Sequence, residues 1–212
     1  MKTIVEIGGG RNPYFVRFAM PVEDSAEYVC LDVSEENIRE GEASLRAHAA
    51  AGKPMPGNHV FMLHDAVKLP FDGMYADHIV ISNTLSAPIH HAWDRNGTQV
   101  SVIGKSRPIR ANQYDGDPFY AERKPIVEEA IRILKPGGVL HIYTDLIVYG
   151  AHSYQKILNE LAHDPRLVLS RNREEEAHIN ALNREKIESS DYCCCFRAEV
   201  LPEAEVYEYI KR

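Results

Sequence analysis

The sequence predicts a doubly wound α/β domain: a mostly parallel seven-stranded sheet with helices on both faces. Three observations predict it. The chain opens on a short β-branched run, a glycine turn and a helix start. The first five apolar runs alternate with helices or helix-like connections, as parallel strands joined by crossovers do. Two further runs near the end predict an antiparallel edge.

The first strand is Thr3-Ile4-Val5-Glu6-Ile7. Gly8-Gly9-Gly10 follows at once, and glycines let a ligand approach the backbone closely. Asn12 is a good N-cap and Pro13 suits a first helical position, so a helix is expected from Tyr14. Its N-terminal N–H groups would point into the turn, where an anionic group is welcome. A dinucleotide fingerprint would need a third glycine, and Pro13 stands in its place.

The second strand, Glu27 to Leu31, ends on Asp32, followed by Val33. Asp32 lies roughly 20–25 residues beyond the glycine turn, where nucleotide-binding folds place an acid on the ribose hydroxyls. Ser34 caps the next helix, with Glu35 and Glu36 in its first turn, and Ile38, Gly41 and Leu45 form its inner stripe. The third strand is His59 to Leu63, followed by Asp65-Ala66 and the turn Leu69-Pro70-Phe71. The fourth is Ala76 to Ser82, followed by Asn83.

Tyr120 to Lys135 reads as an amphipathic helix, with Val127, Ala130, Ile131 and Leu134 on one face. It is expected to stop at Pro136, and Gly137-Gly138 to turn into a strand from Val139 to Tyr143. Ser153 to His163 is a further amphipathic helix and Arg166 to Ser170 a strand. Arg173 to Ile187 is polar and helix-permissive. The last strand is expected at Tyr192 to Val200, ahead of an acidic tail.

Several of these phrases resemble class I S-adenosylmethionine (SAM)-dependent methyltransferases. Glu6-x-Gly8-x-Gly10 after a strand is similar to their motif I. A strand, Asp65-Ala66, Leu69-Pro70-Phe71 and a strand ending in Ser82-Asn83 resembles the middle of such enzymes. Leu134-Lys135-Pro136-Gly137-Gly138-Val139-Leu140 resembles the segment leading into their fifth strand. The resemblance implies a strand order of 3-2-1-4-5-7-6 and SAM as cofactor. It implies a cofactor site of Glu6, Gly8, Gly9, Gly10, Asn12, Asp32, Val33, Asp65, Ala66, Ser82 and Asn83. In that family the acid at Asp65 bonds the adenine amino group, Ala66 gives a backbone N–H to the ring, and the Asn83 segment lies beside the methyl group.

The chain departs from the family in two places. Its first strand begins at about Thr3, so helices that often cover the cofactor are absent from this sequence. Ala87 to Phe119 is a long irregular stretch carrying His90, His91, Trp93, Arg95, Lys105, Arg107, Arg110 and Tyr114. Loops of that length are uncommon unless functional, so it is expected to form an inserted lid over the acceptor within one domain of residues 1–212. Its apolar Val100-Ser101-Val102-Ile103 reads as a short strand. A second subunit, as a homodimer, is the other way to close the site.

The resemblance makes methyl transfer to an oxygen or nitrogen acceptor, by default a small molecule, the expected activity. Such a displacement needs donor and acceptor held in line and a group to take a proton. His90 or His91 is the first choice of base, because imidazole titrates near neutral pH, and Asp145 the second. A non-catalytic SAM-binding or partner subunit is the alternative, and a nicotinamide-dependent reductase is disfavoured by the incomplete glycine fingerprint.

The whole chain has 212 residues, 26% charged and 44% hydrophobic, as one globular domain requires. Its net charge of -7 argues against nucleic-acid and anionic-membrane partners. No apolar run approaches membrane-spanning length and the N-terminus does not read as a signal peptide, which places the protein in the cytoplasm. Cys30, Cys193, Cys194 and Cys195 lack metal-ligand spacing and read as buried small hydrophobes.

Overall fold

The computed structural model describes residues 1–18, 20, 23–82, 84, 91–93, 99–101, 118–144, 151–189 and 205–212. Strands β1 (Thr3–Ile7), β2 (Glu27–Asp32), β3 (Asn58–Leu63) and β4 (Ala76–Ser82) come first. A small antiparallel hairpin follows, β5 (His91–Trp93) and β6 (Gln99–Ser101). The rest of the sheet is β7 (Leu134–Thr144), β8 (Leu167–Arg171) and β9 (Glu205–Lys211). The helices are α1 (Tyr14–Arg17), α2 (Glu35–Ala50), α3 (Pro118–Ile133), α4 (Ala151–Ala162) and α5 (Arg173–Ser189).

The seven-stranded sheet runs β3-β2-β1-β4-β7-β9-β8. Numbered along the chain without the hairpin, that is the expected 3-2-1-4-5-7-6. The pairs from β3 to β7 are parallel, and β9 is antiparallel to both β7 and β8. Side chains alternate along each strand, and this divides the core between the two faces. Val5, Ile7, Val29, Leu31, Ile79, Ile81, Leu140 and Ile142 pack against α3 and α4 through Val127, Ala130, Ile131, Ile157, Leu158 and Leu161. On the other face Tyr28, Cys30, Val80, Tyr143 and Val206 meet Tyr14, Phe15, Phe18, Leu45 and Ile179 of the α1, α2 and α5 segments.

Three expectations are corrected. The acidic tail contains strand β9, whose Tyr209 is fully buried between β7 and β8; Tyr192 to Val200 lies outside the described residues. The helix expected from Tyr120 to Lys135 begins at Pro118 and ends at Ile133, and β7 starts at Leu134 with no loop between. Leu134 pairs with Ala76 before the register shifts, so Pro136-Gly137-Gly138 lies inside the strand as an irregularity rather than ahead of it. Third, Pro13 is the N-cap of α1, and no side chain caps that position; Asn12 instead accepts a hydrogen bond from Ser44 at 3.2 Å.

Within the expected lid, the strand read at residues 100–103 is β6 at Gln99–Ser101, paired with β5.

Candidate functional site

Parallel strands in aligned register deliver their carboxyl ends to one edge of the sheet. Ile7 is level with Leu31 and Ile81, and Asp32 with Leu63. The glycine turn, Asp32-Val33, Asp65-Ala66 and Ser82 therefore emerge at that edge. The strand order reverses between β1 and β4, and open α/β sheets form their ligand crevice at such a point.

Thr84 closes the gap between those two strands. Its hydroxyl lies 3.0 Å from the Ile7 carbonyl and 3.2 Å from the Ser82 carbonyl. Gly8 sits against it with φ +80, a conformation that disfavours any side chain. A Cβ there would lie 1.8 Å from Thr84 Oγ1.

Glu6 lies beneath Gly9 and is fully buried. A Cβ on Gly9 would come within 2.0 Å of Glu6 Oε1. The carboxyl accepts the Tyr14 N–H at 2.9 and 3.2 Å and the Tyr28 hydroxyl. Burial raises its pKa to about 8, against the lowering effect of the Tyr14 N–H and the charge of Arg17. So a side chain eight residues upstream takes the first N–H of α1, where the sequence suggested room for an external anion.

Asp32 is also engaged. Its Oδ2 accepts the Gly10 N–H at 3.2 Å, and its Oδ1 accepts the Ser34 N–H at 2.9 Å and the Asn37 side-chain amide at 3.1 Å. A carboxylate has roughly four acceptor positions, so little capacity remains for a ligand. Asp32 holds the turn to the start of α2. Asp65 is exposed, and Oδ1 accepts the Val67 N–H at 3.0 Å. Val33 and Leu63, 61% and 58% exposed, present apolar surface at the ends of β2 and β3.

His91 opens β5; His90, Asn83 and Asp145 lie outside the described residues. Sequence reading missed Thr84, whose neighbour Asn83 was noted, and a buried polar group on the α1–α5 face. There the Tyr14 hydroxyl donates to Glu175 Oε1 at 2.6 Å and lies 3.1 Å from His141 Nε2. One potential metal-ligating atom from each of His141, Glu175 and Glu208 lies within 4.8 Å of the others. These residues are scattered from position 14 to position 208, so no local motif could have joined them. Nearby, His78 is pushed down to about 4 by burial and by the proximity of His141, and its Nε2 is buried without a partner among the described residues.

No protein-family model matches the chain, and no curated protein matches it in sequence. Solved structures do match. A Clostridium thermocellum protein provisionally described as an rRNA-methylase is 11% identical, with 100% of this chain and 89% of that one covered and a TM-score of 0.52. The [4+2]-cyclase SpnF is 12% identical over 99% of this chain and 75% of its own, with a TM-score of 0.53. TrmN from Thermus thermophilus is 12% identical, covering 100% of this chain and 44% of its own, with a TM-score of 0.52. With the strand order above, these decide the architecture. The chain has the Rossmann-like fold of class I SAM-dependent methyltransferases. That methyltransferase fold is also the fold of a [4+2]-cyclase, so it does not by itself carry an activity.

The expected absence of a nucleic-acid partner is overturned by the same comparison. TrmN and the rRNA-methylase-like protein share this fold, and the latter is described by action on RNA. Net charge averages over a surface and says little about one crevice, so RNA belongs among the acceptors to be tested.

Proposed function

We propose that the protein transfers a methyl group from SAM to an oxygen or nitrogen acceptor. The observation that carries this reading is the glycine turn at the β1–β4 switch point, shaped by Thr84 and Glu6 and tied to Asp32. The turn is narrow because Gly8 and Gly9 have no room for side chains. Its backbone can therefore approach a ligand closely.

In this reading Gly8, Gly9, Gly10 and Asn12 line the methionine end. Asp32 uses its remaining acceptor capacity on a ribose hydroxyl. Val33 and Ala66 lie along the adenine, with Asp65 accepting from its amino group. Ser82 and Asn83 flank the methyl end, and Glu6 supports the turn from below. SAM supplies an electrophilic methyl carbon on a sulfonium, and no metal is needed for its displacement. The protein's part is to hold the acceptor in line, exclude water and take the acceptor's proton. His90 or His91 is the proposed base, with Asp145 second, and residues 87–119 form the lid. The compartment is the cytoplasm.

The test is incubation with methyl-labelled SAM and, separately, total RNA and a deproteinised small-molecule extract. Label entering either fraction supports the reading and names the acceptor class. SAM binding with no label transferred to either, or to a protein extract, would make the chain a non-catalytic SAM-binding module.

A further inference from the structure

We propose that helix α5 positions the glycine turn, acting through Tyr14. This rests on the reading that the turn holds SAM, and it adds Tyr14 and Glu175 as positioning residues that touch no ligand.

Helix α1 has four residues, and no side chain caps it at Pro13. So short a helix does not hold its own place. It is held instead at three points. At its start the Tyr14 N–H is on the Glu6 carboxyl. At the tip of Tyr14 the hydroxyl donates to Glu175 at 2.6 Å. Just past its end the Phe18 carbonyl accepts from His178 Nε2 at 2.9 Å. Glu175 and His178 lie three residues apart on α5, so one helix grips α1 at two places.

The grip is itself anchored. The Asn172 side-chain amide donates to Glu175 Oε2 at 3.0 Å and to Glu208 Oε1 on β9 at 3.1 Å. Asn172 Oδ1 accepts the Glu175 N–H at 3.2 Å. The Tyr14 ring meets Phe18, His141 and Tyr143 edge-on, with centroids 5.0 to 5.2 Å apart. Tyr14, Glu175, His141 and Glu6 are all buried.

The path then reaches the turn directly. Tyr14 fixes the Glu6 carboxyl, and Gly9 lies so close that a Cβ would overlap it. A shift of α1 therefore moves Glu6 or Gly9 or both. The carboxyl-terminal half, remote in sequence, sets the backbone on which the ligand rests. By linkage, a ligand on the turn must in return stabilise α5.

The experiment compares the wild type with Tyr14→Phe, Glu175→Gln, the double variant and a control, Ile157→Val. The control removes a methyl group from α4 on the opposite face of the sheet. Amide exchange at Gly8, Gly9, Gly10, Arg11 and Asn12 is measured without ligand, and S-adenosylhomocysteine affinity by calorimetry. Tyr14→Phe and Glu175→Gln should each speed exchange in the turn and weaken the ligand roughly tenfold, within the usual range of coupling between separate sites. The double variant should be no worse than the poorer single one. Ile157→Val should lower Tm and leave the turn unchanged. Wild-type exchange in a folded Tyr14→Phe protein, or equal acceleration in the control, would overturn the proposal. Failure of the wild type to bind the ligand would count against SAM alone, because the exchange comparison still judges the strut.

Discussion

Glu6, the fourth residue of β1, is a buried carboxyl under the glycine turn. Its pKa of about 8 makes the folded state hold a proton that the unfolded chain releases near its ordinary 4.5. The folded state then binds more protons between those values, so stability falls as pH rises from about 4.5 through 8. His78 acts with the opposite sign: its pKa of about 4 means that stability is lost as pH falls from 6.5 through 4. Between pH 6.5 and 8 only the Glu6 effect of these two operates. Urea unfolding should show a loss of about 1–2 kcal/mol across that window, and Glu6→Gln should flatten it. An equal slope in Glu6→Gln would show that the carboxyl is not the titrating group. Asp32 was legible because it ends a strand at a familiar distance. Its hydrogen bonds to Gly10, Ser34 and Asn37 were not, because they depend on how the turn and α2 meet.

Elements were legible where one face is apolar and the period is unbroken. Ser34 caps α2 as read, accepting from the Asn37 N–H at 3.3 Å. β9 was missed because neither side is uniformly apolar: Val206 is buried on one side with Glu208, turned toward His141 at 3.6 Å, and the 41% exposed Ile210, while Tyr209 is buried on the other. A charge on an inward position erases the alternation that marks a half-buried strand. Yet β9 joins β8 to the sheet, so its core residues should matter greatly. Tyr209→Ala should cost about 3–5 kcal/mol by removing a fully buried ring, read as a shift of the urea midpoint. A loss under about 1 kcal/mol, the range of ordinary surface substitutions, would place Tyr209 outside the core. α1 was misjudged for the converse reason. Its start looked locally capped, at Asn12; the N-cap is Pro13, and the first helical N–H, of Tyr14, is accepted by Glu6 of β1.

At the scale of the molecule, alternation of apolar runs and helices was enough for the fold class, and the order of strands came from a family resemblance. Pairing partners are not written in periodicity, since every inner strand of a doubly wound sheet carries much the same pattern. Partners were beyond reach for another reason: a net charge of -7 describes the chain and not its crevice. The proposed function requires SAM to sit on the glycine turn at the β1–β4 switch point. Amide chemical-shift mapping with S-adenosylhomocysteine and, separately, NADH probes that turn residue by residue. S-adenosylhomocysteine should shift Gly8, Gly9, Gly10, Asp32, Val33, Asp65 and Ala66 in a saturable way, and NADH should not. Shifts from NADH at the glycine turn, or S-adenosylhomocysteine shifts confined to the opposite edge of the sheet, would contradict it.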